Sequence, residues 1–189
     1  MNHFAYHTIS LCWLIFLLYW IISARGLKAN VEQQTRQEAL AYRLPSLLGA
    51  LLMLRPDFIP GLDQVLYGRP PWLQLLAGAV CVGGLAVAIW SRRTLAANWS
   101  SDVTLKQGHE LIQTGPYQWA RHPIYTGILL MALGTALLGA RLGSWLGFLL
   151  MAAGLVIKLK YEEALMLRHF PETYPVYQKR VKALVPYVF

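Results

Sequence analysis

Charged residues are scarce in this chain. Asp, Glu, Lys and Arg make up 14% of its 189 residues, whereas 56% are hydrophobic. A soluble domain carries about a quarter charged residues, so the deficit argues against a soluble protein. The charges that are present cluster between long uncharged runs, as they do when segments lie in lipid. The composition therefore predicts one all-α domain embedded in a membrane.

The sequence also has few cysteines and no basic residue near its start, and both absences bear on the class of protein. Cysteine occurs only as Cys12 and Cys81, within apolar runs and without a CxxC motif, so no disulfide framework is expected. Residues 1–8 contain no Lys or Arg, whereas a secretory signal peptide begins with a basic segment. The first apolar run is therefore expected to be a retained helix whose N-terminus lies outside.

Five apolar segments predict about five transmembrane helices. They cover residues 9–24, 44–54, 72–90, 124–140 and 142–157. Several are shorter than the roughly 20 residues that cross a bilayer, a deficit that flanking Arg and Lys side chains and local thinning can offset. The second segment gives the weakest signal, because prolines at positions 45, 56 and 60 interrupt it. The last two segments form a hairpin whose recurring glycines indicate close helix packing.

The basic residues give these helices an orientation. With the N-terminus outside and five spans, fourteen of the seventeen Lys and Arg residues fall on the inner side, as the positive-inside rule requires. Only Arg55, Arg69 and Arg141 fall outside. These inner loops explain the net charge of +8, and no basic stripe indicates nucleic-acid binding. The sequence predicts a multi-pass membrane protein with a cytoplasmic C-terminus.

Two polar stretches, residues 91–122 and 158–189, are too long to be turns and fall on the same side. The second is expected to begin with a helix that continues the fifth span over 158–170 and ends at Pro171. We therefore divide the chain into N-terminal transmembrane helices 1–3 (residues 1–90) and a core (residues 91–189). In this core, the loop and the tail face one another across the end of the helix hairpin.

The densest polar cluster stands just before the fourth helix. Gly115-Pro116 predicts a turn, and Arg121 and His122 precede Pro123, which suits the first turn of a helix. Free backbone N–H groups at that helix start can receive an anionic ligand group. A snorkelling Arg with an interfacial Tyr accounts for the same residues, and the spacing alone leaves both interpretations open.

A second cluster follows the fifth span. Glu162 and Glu163 come one turn after Lys158, and the i,i+4 spacing places Lys158 and Glu162 on one helix face. A solvated salt bridge is the simplest interpretation of this pair. Two adjacent carboxylates in a basic tail are also compatible with a binding site.

Together these motifs resemble the isoprenylcysteine carboxyl methyltransferase family, and the related phospholipid N-methyltransferases share the core of the pattern. The resemblance covers roughly residues 95–189, whereas residues 1–90 match only in being spans. The motifs that carry it are, in order, Asn98-Trp99-Ser100, Gly108-His109-Glu110-Leu111, Gly115-Pro116-Tyr117, Arg121-His122-Pro123-Ile124-Tyr125, Gly127, Glu162-Glu163, Phe170, Tyr174, Tyr177 and Pro186.

The resemblance implies a methyltransferase that uses S-adenosylmethionine and leaves S-adenosylhomocysteine. Its pocket would be formed by the loop before the fourth helix, the start of that helix and the C-terminal tail. The implied cofactor-binding residues are His109, Glu110, Leu111, Ile112, Tyr117, His122, Pro123, Ile124, Tyr125 and Glu162. The residues expected to take part in the chemistry are Lys158, Arg121 and Glu163, and no metal is expected. Lys158 stands where the family usually has an Arg that meets the substrate carboxylate, so the charge is kept but the bidentate fork is lost.

The implied partners are membrane lipids and a lipophilic, prenylated or lipid-like carboxylate that enters from the bilayer. A carboxylate acceptor is ionised at neutral pH and needs no general base. The alternative, a phospholipid or amine N-methyltransferase, would need one, with His122, Glu163 and His169 as candidates. A non-catalytic scaffold or a small transporter is the second alternative, and a transporter would carry ionisable residues at mid-membrane. The centres of spans three to five have none, so the methyltransferase hypothesis is favoured.

Overall fold

A computed structural model of the protein describes residues 4–24, 30–100, 102–106, 108 and 110–186. Six helices and two short strands form in this part of the chain. In chain order they are α1 (Phe4–Ser23), β1 (Asn30–Gln33), α2 (Arg36–Leu54), α3 (Pro71–Leu95), β2 (Thr104–Lys106), α4 (Pro123–Gly139), α5 (Leu142–His169) and α6 (Thr173–Arg180). Short 3-10 turns lie at Pro56–Phe58, Ala96–Asn98 and Gly115–Gln118.

Each of the five apolar segments coincides with a helix, α1 to α5, except that Ala24 and Ala140 lie one residue beyond α1 and α4. The second helix is longer than its apolar core, because Thr35 caps it: the Glu38 N–H donates to the Thr35 hydroxyl (3.3 Å), and the Thr35 N–H donates to the Glu38 carboxylate (2.9 Å). Such a reciprocal cap satisfies two backbone donors at a helix start. The expectation that Pro45 interrupts this helix is wrong, since Pro45 lies inside it, and Pro56 begins the 3-10 turn that follows.

Within the residues that the structure describes, three helical segments are long and apolar enough to cross a membrane: Phe4–Ser23, Pro71–Asn98 and Leu142–His169. The apolar helix α4 has 17 residues and falls short by length. Many leucines on the helices point outward, among them Leu47, Leu75 and Leu149, as expected for surfaces that face lipid. The protein is therefore a helical membrane protein, and five spans stay a prediction.

Helices α2 to α5 pack in two pairs, α3 with α4 and α2 with α5, and glycines lie at both contacts. A Cβ atom at Gly127 of α4 would lie 2.6 Å from the backbone oxygen of Gly84 in α3. A Cβ atom at Gly147 of α5 would lie 2.5 Å from the backbone oxygen of Gly49 in α2. Only glycine allows backbones to approach so closely. The hairpin glycines therefore pack α4 on α3 and α5 on α2, rather than joining the two hairpin helices to each other.

The hairpin turns at one end of the molecule, as expected from the sequence. Ala140 takes the left-handed conformation there, with φ 52°. The loop between α2 and α3 covers the turn: the Leu66 N–H donates to the Ala140 carbonyl (2.9 Å) and the Leu142 N–H donates to the Gln64 carbonyl (3.0 Å).

The opposite end carries a feature that the all-α prediction missed. β1 and β2 pair antiparallel, with Asn30 opposite Lys106 and Gln33 opposite Thr104. The strands are short and irregular, and they come from distant loops, so no alternating hydrophobic pattern announces them. This β ribbon ties the α1–α2 connection to the loop that precedes α4.

The C-terminal tail also lies at this end. It runs beside the segment before α4, where the Arg121 N–H donates to the Lys182 carbonyl (2.8 Å) and the His122 N–H donates to the Ala183 carbonyl (2.9 Å). The Thr126 hydroxyl donates to the Leu184 carbonyl (2.7 Å). The loop and the tail are thus in direct contact.

Candidate active site

A cavity of about 350 Å³ lies where the loop, the tail and the ends of the helices meet. Its lining includes apolar side chains, such as Phe16, Ile128 and Leu155, together with polar ones. The polar and the other aromatic residues that line it are Trp20, Asn98, Trp99, Ser100, Asp102, Thr104, Glu110, Tyr117, Arg121, His122, Tyr125, Lys158, Glu162, Tyr174 and Tyr177.

His122 lies between the two acids of α5. Its Nδ1 is 3.3 Å from a Glu162 oxygen and its Nε2 is 3.3 Å from a Glu163 oxygen. The ring stacks parallel to that of Tyr125, at 5.5 Å between centroids. Burial lowers the pKa of His122, but the bonds to Glu162 and Glu163 outweigh it and leave this pKa above its usual value. The arrangement favours an imidazolium between two carboxylates.

Of the two adjacent acids of α5, Glu162 is the one that lines the cavity. Its carboxylate accepts a hydrogen bond from the Tyr125 hydroxyl and lies 4.0 Å from the Lys158 ammonium. The side chain keeps 25% of its surface exposed. A carboxylate that is oriented by two neighbours and still reachable suits the binding of a ligand cation.

Lys158 lines the same cavity one helical turn earlier. Its ammonium lies 5.5 Å from the centre of the Tyr42 ring and 5.4 Å from that of Tyr125. Aromatic faces attract a cation at such distances. The side chain is 14% exposed, so its charge is held at the cavity wall and not in open solvent.

Glu163 has a different environment. Its carboxylate accepts hydrogen bonds from Arg121 Nε (2.7 Å) and Gln178 Nε2 (3.0 Å), in addition to its contact with His122. The Arg121 guanidinium also donates to the backbone carbonyls of Gln178 (3.3 Å) and Val181. These bonds join α5, the segment before α4 and the tail.

Two tyrosines close the tail side of the cavity. The Tyr177 hydroxyl donates to the Tyr117 carbonyl (2.6 Å), and the Tyr117 hydroxyl donates to the Ser91 carbonyl at 3.4 Å. Burial raises the pKa of Tyr177 to about 12, so this hydroxyl keeps its proton at neutral pH. Leu111 packs against the buried cluster of Tyr174, Tyr177 and Val181.

The structure brings together most of the residues singled out from the sequence. Those that line the cavity are Glu110, Leu111, Ile112, Tyr117, Arg121, His122, Ile124, Tyr125, Lys158 and Glu162. Pro123 is buried as the first residue of α4, and Glu163 faces the tail. His109 lies outside the described residues. In the described part of the chain, no group of three or more His, Cys, Asp and Glu side chains could hold a metal ion.

Several wall residues had no predicted role. Phe16 and Trp20 come from α1, and Asp102 and Thr104 come from the loop and strand of the ribbon. Trp99 belongs to one of the motifs in the sequence but had no predicted role. Its ring lies edge-on to that of Trp20, at 6.2 Å between centroids, and the buried guanidinium of Arg92 lies over it, 4.3 Å from the ring centre. The i,i+4 spacing of Phe16 and Trp20 could have indicated a shared aromatic face.

Comparisons with known proteins agree with this architecture. Residues 76–168 match the model of the isoprenylcysteine carboxyl methyltransferase family. A protein-S-isoprenylcysteine O-methyltransferase of Tribolium castaneum is 26% identical over 69% of this chain and 46% of its own length. The Xenopus laevis protein of the same name is 22% identical over 98% of this chain and 64% of its own. This chain thus spans about half to two thirds of the length of these relatives.

A solved structure has the same fold. It is that of the eukaryotic intramembrane Ras methyltransferase, isoprenylcysteine carboxyl methyltransferase, with a TM-score of 0.59 and 23% sequence identity. The match covers 94% of this chain and 63% of the other. Family model, relatives and fold together confirm that the chain resembles the isoprenylcysteine carboxyl methyltransferase family.

Proposed function

We propose that this protein is an integral membrane methyltransferase that transfers the methyl group of S-adenosylmethionine to a lipophilic carboxylate. One observation carries the proposal: a cavity lined by both apolar and polar side chains lies where His122 meets Glu162. Such a cavity can receive a water-soluble cation beside a lipid-like chain. The similarity to named methyltransferases supports the same reaction.

The residues present fit this cofactor. The volume of about 350 Å³ falls within the roughly 300–1,000 Å³ of ligand pockets. Glu162 offers a carboxylate to the α-ammonium of the ligand, and the rings of Tyr117 and Tyr125 offer faces to a sulfonium and an adenine. When bound, the cofactor supplies an electrophilic methyl group on a sulfonium. The expected contacts are with Glu110, Leu111 and Ile112 on one side and with His122, Pro123, Ile124 and Tyr125 on the other, with His109 as a further candidate.

Lys158 is proposed to hold the acceptor carboxylate. In the transfer, a carboxylate oxygen forms a bond to the methyl carbon while the carbon–sulfur bond breaks, which gives a methyl ester and a thioether. No proton moves, so the protein contributes mainly alignment and exclusion of water. The Lys158 ammonium keeps the acceptor anion at the wall that Glu162 shares. An amine acceptor would release a proton, and the His122 imidazolium between the two acids could take it up only after losing its own proton.

Arg121 and Glu163 are expected from the sequence to take part in the chemistry. Their contacts support a positioning role, because Glu163 bonds to Arg121 and Gln178 and lies off the cavity lining. We propose that they hold the tail against the segment before α4, so that Tyr117 and Tyr177 stay in the wall.

We also propose that the cavity faces the cytoplasm. The segments that the five-span topology predicts to be inside, which include the loop and the tail of the cavity, hold fourteen of the seventeen Lys and Arg residues, and this favours an inner location for this side. The acceptor would then enter from the bilayer near Lys158. The core is proposed to comprise residues 91–189, with Phe16 and Trp20 of the N-terminal helices completing its wall.

Calorimetric titration with S-adenosylhomocysteine tests the proposal. The wild type is expected to bind in the micromolar range, and Glu162→Ala to bind at least about tenfold more weakly, because a charge-assisted hydrogen bond is lost. Glu172→Gln, a change of an exposed acid on the tail, is the matched control and should leave binding unchanged. Equal affinities for wild type and Glu162→Ala would remove Glu162 from the site, and no binding by the wild type would reject the proposed function.

A further inference from the structure

Thr104 of β2 carries a buried hydroxyl that nothing in the described part of the chain satisfies. Only 7% of the residue is exposed, and its Oγ1 has no hydrogen-bond partner among the described residues. A buried hydroxyl without a partner destabilises a protein. Thr104 also lines the cavity, so its hydroxyl is available to a molecule bound there.

Ser144 provides a comparison, because in the described part of the chain it also carries a buried, unpaired hydroxyl but lies away from the cavity. Ser144, at the start of α5, is 1% exposed, and its Oγ likewise lacks a partner among the described residues. It lies beside the hairpin turn, close to Gly139, at the end of the helices away from the cavity. Thr104 and Ser144 therefore share burial and an unpaired hydroxyl, and they differ in access to the cavity.

The two residues that precede Thr104 contact the side of the cavity that we assign to the acceptor. Val103 packs in one buried cluster with Tyr42 and Leu165, and Asp102 forms an ion pair with Arg43 of α2. The ring of Tyr42 in turn lies 5.5 Å from the Lys158 ammonium. Leu111 and Tyr177, on the proposed cofactor side, belong to a different buried cluster.

We propose that the Thr104 hydroxyl donates a hydrogen bond to the carboxylate of the methyl acceptor, beside the charge supplied by Lys158. This inference rests on the proposed function and adds a residue to it. An ammonium is a point charge without a fixed direction, and a second, directional donor fixes the orientation of a carboxylate. Thr104 would thus select acceptors that present a carboxylate at the ribbon wall.

Three variants of the purified full chain test the inference: Thr104→Val, which removes the hydroxyl at nearly constant shape, Thr104→Ser, which keeps it, and Ser144→Ala. Each is compared with the wild type in thermal unfolding without ligand, in calorimetric binding of S-adenosylhomocysteine, and in the KM for an S-prenylcysteine that carries a free carboxylate.

Thr104→Val is expected to leave the unfolding midpoint unchanged or raised, because it removes an unsatisfied polar group. Its KM for the prenylcysteine should rise about tenfold or more, the value of one hydrogen bond to a charged group, with kcat and the affinity for S-adenosylhomocysteine within about twofold of the wild type. Thr104→Ser should behave like the wild type. Ser144→Ala should share the unchanged or raised midpoint without any change in KM.

An unchanged KM in Thr104→Val overturns the inference, as does a loss of S-adenosylhomocysteine affinity, which would place the hydroxyl on the cofactor. A midpoint clearly below that of the wild type would also overturn it, since the hydroxyl would then have a partner within the protein. If the wild type itself fails to bind S-adenosylhomocysteine, the proposed function fails. If the wild type binds and methylates normally, a silent Thr104→Val removes only this inference.

Discussion

Glu162 and Glu163 are neighbours in sequence, yet they belong to two different regions of the molecule. One residue of α-helix turns the side chain by about 100°, which directs Glu162 to the cavity and Glu163 to the tail. Glu162 meets Tyr125 and Lys158, whereas Glu163 meets Arg121 and Gln178. His122 contacts both. One pair of adjacent acids can therefore both present a binding group, Glu162, and hold the tail in place through Glu163.

Glu163→Ala should have the largest effect on stability. Removing this carboxylate leaves Arg121, whose side chain is only 10% exposed, without its charged partner. Breaking such a pair costs about 3 kcal/mol or more, so the free energy of unfolding should fall by about that amount in denaturant titration.

The matched control is Glu162→Gln, which keeps the size of the side chain and leaves the Arg121 pair intact. It should reduce ligand binding far more than stability. If both substitutions lower stability equally, the distinction between a cavity acid and a tail acid is wrong.

Protonation of His122 should link the two regions through pH. Its pKa in the folded protein lies above the ordinary value, which is about 6.5. The stabilisation from this group is therefore complete below about pH 6.5 and is lost as the pH rises through the raised pKa of the folded state. The thermal midpoint should fall over that interval, and His122→Gln should remove this part of the pH dependence.

His169 provides the control for this experiment, because it is exposed at the end of α5. The profile of His169→Gln is the reference for the loss of a histidine elsewhere in the chain. A profile that stays the same in His122→Gln would show that the raised pKa of His122 does not contribute to the pH dependence of stability.

Tyr177→Phe should have the smallest effect of the three. It removes the hydrogen bond to the Tyr117 carbonyl (2.6 Å) and leaves that carbonyl unpaired, which destabilises by about 1–2 kcal/mol. Because this bond joins the tail to the cavity wall, S-adenosylhomocysteine binding should also weaken slightly. Tyr6→Phe, at an exposed ring in α1, should change neither quantity, and a silent Tyr177→Phe would argue against a wall held by the tail.

The positions of the helices follow from the sequence because long apolar runs have few alternatives in a membrane. The meeting of His122 with Glu162 was expected only from the resemblance to a known family, since no local pattern links positions forty residues apart. The separate surroundings of Glu162 and Glu163 depend on the rotation of α5 against α2, which is set by the contact of Gly147 with Gly49. Sequence spacing does not contain that rotation.

Other wall residues could not have been predicted for a different reason. The β ribbon pairs Gln33 with Thr104 across about seventy positions, and its strands are too short to show a period. Trp20 reaches the cavity because α1 packs on α3 and α4, a tertiary contact that its uniformly apolar sequence does not specify. Long-range pairing, rather than local preference, decides these parts of the site.

Photolabelling of the purified protein with radiolabelled S-adenosylmethionine tests whether the cavity beside His122 and Glu162 is the cofactor site, because it reports where the ligand lies. If this cavity binds the cofactor, cavity residues of the loop and tail, such as Tyr117 and Tyr177, should be labelled. S-adenosylhomocysteine should compete with the label, and the label should be lost in Glu162→Ala. Label that resists competition, or that is found only on residues away from the cavity, would contradict this assignment of the cofactor site.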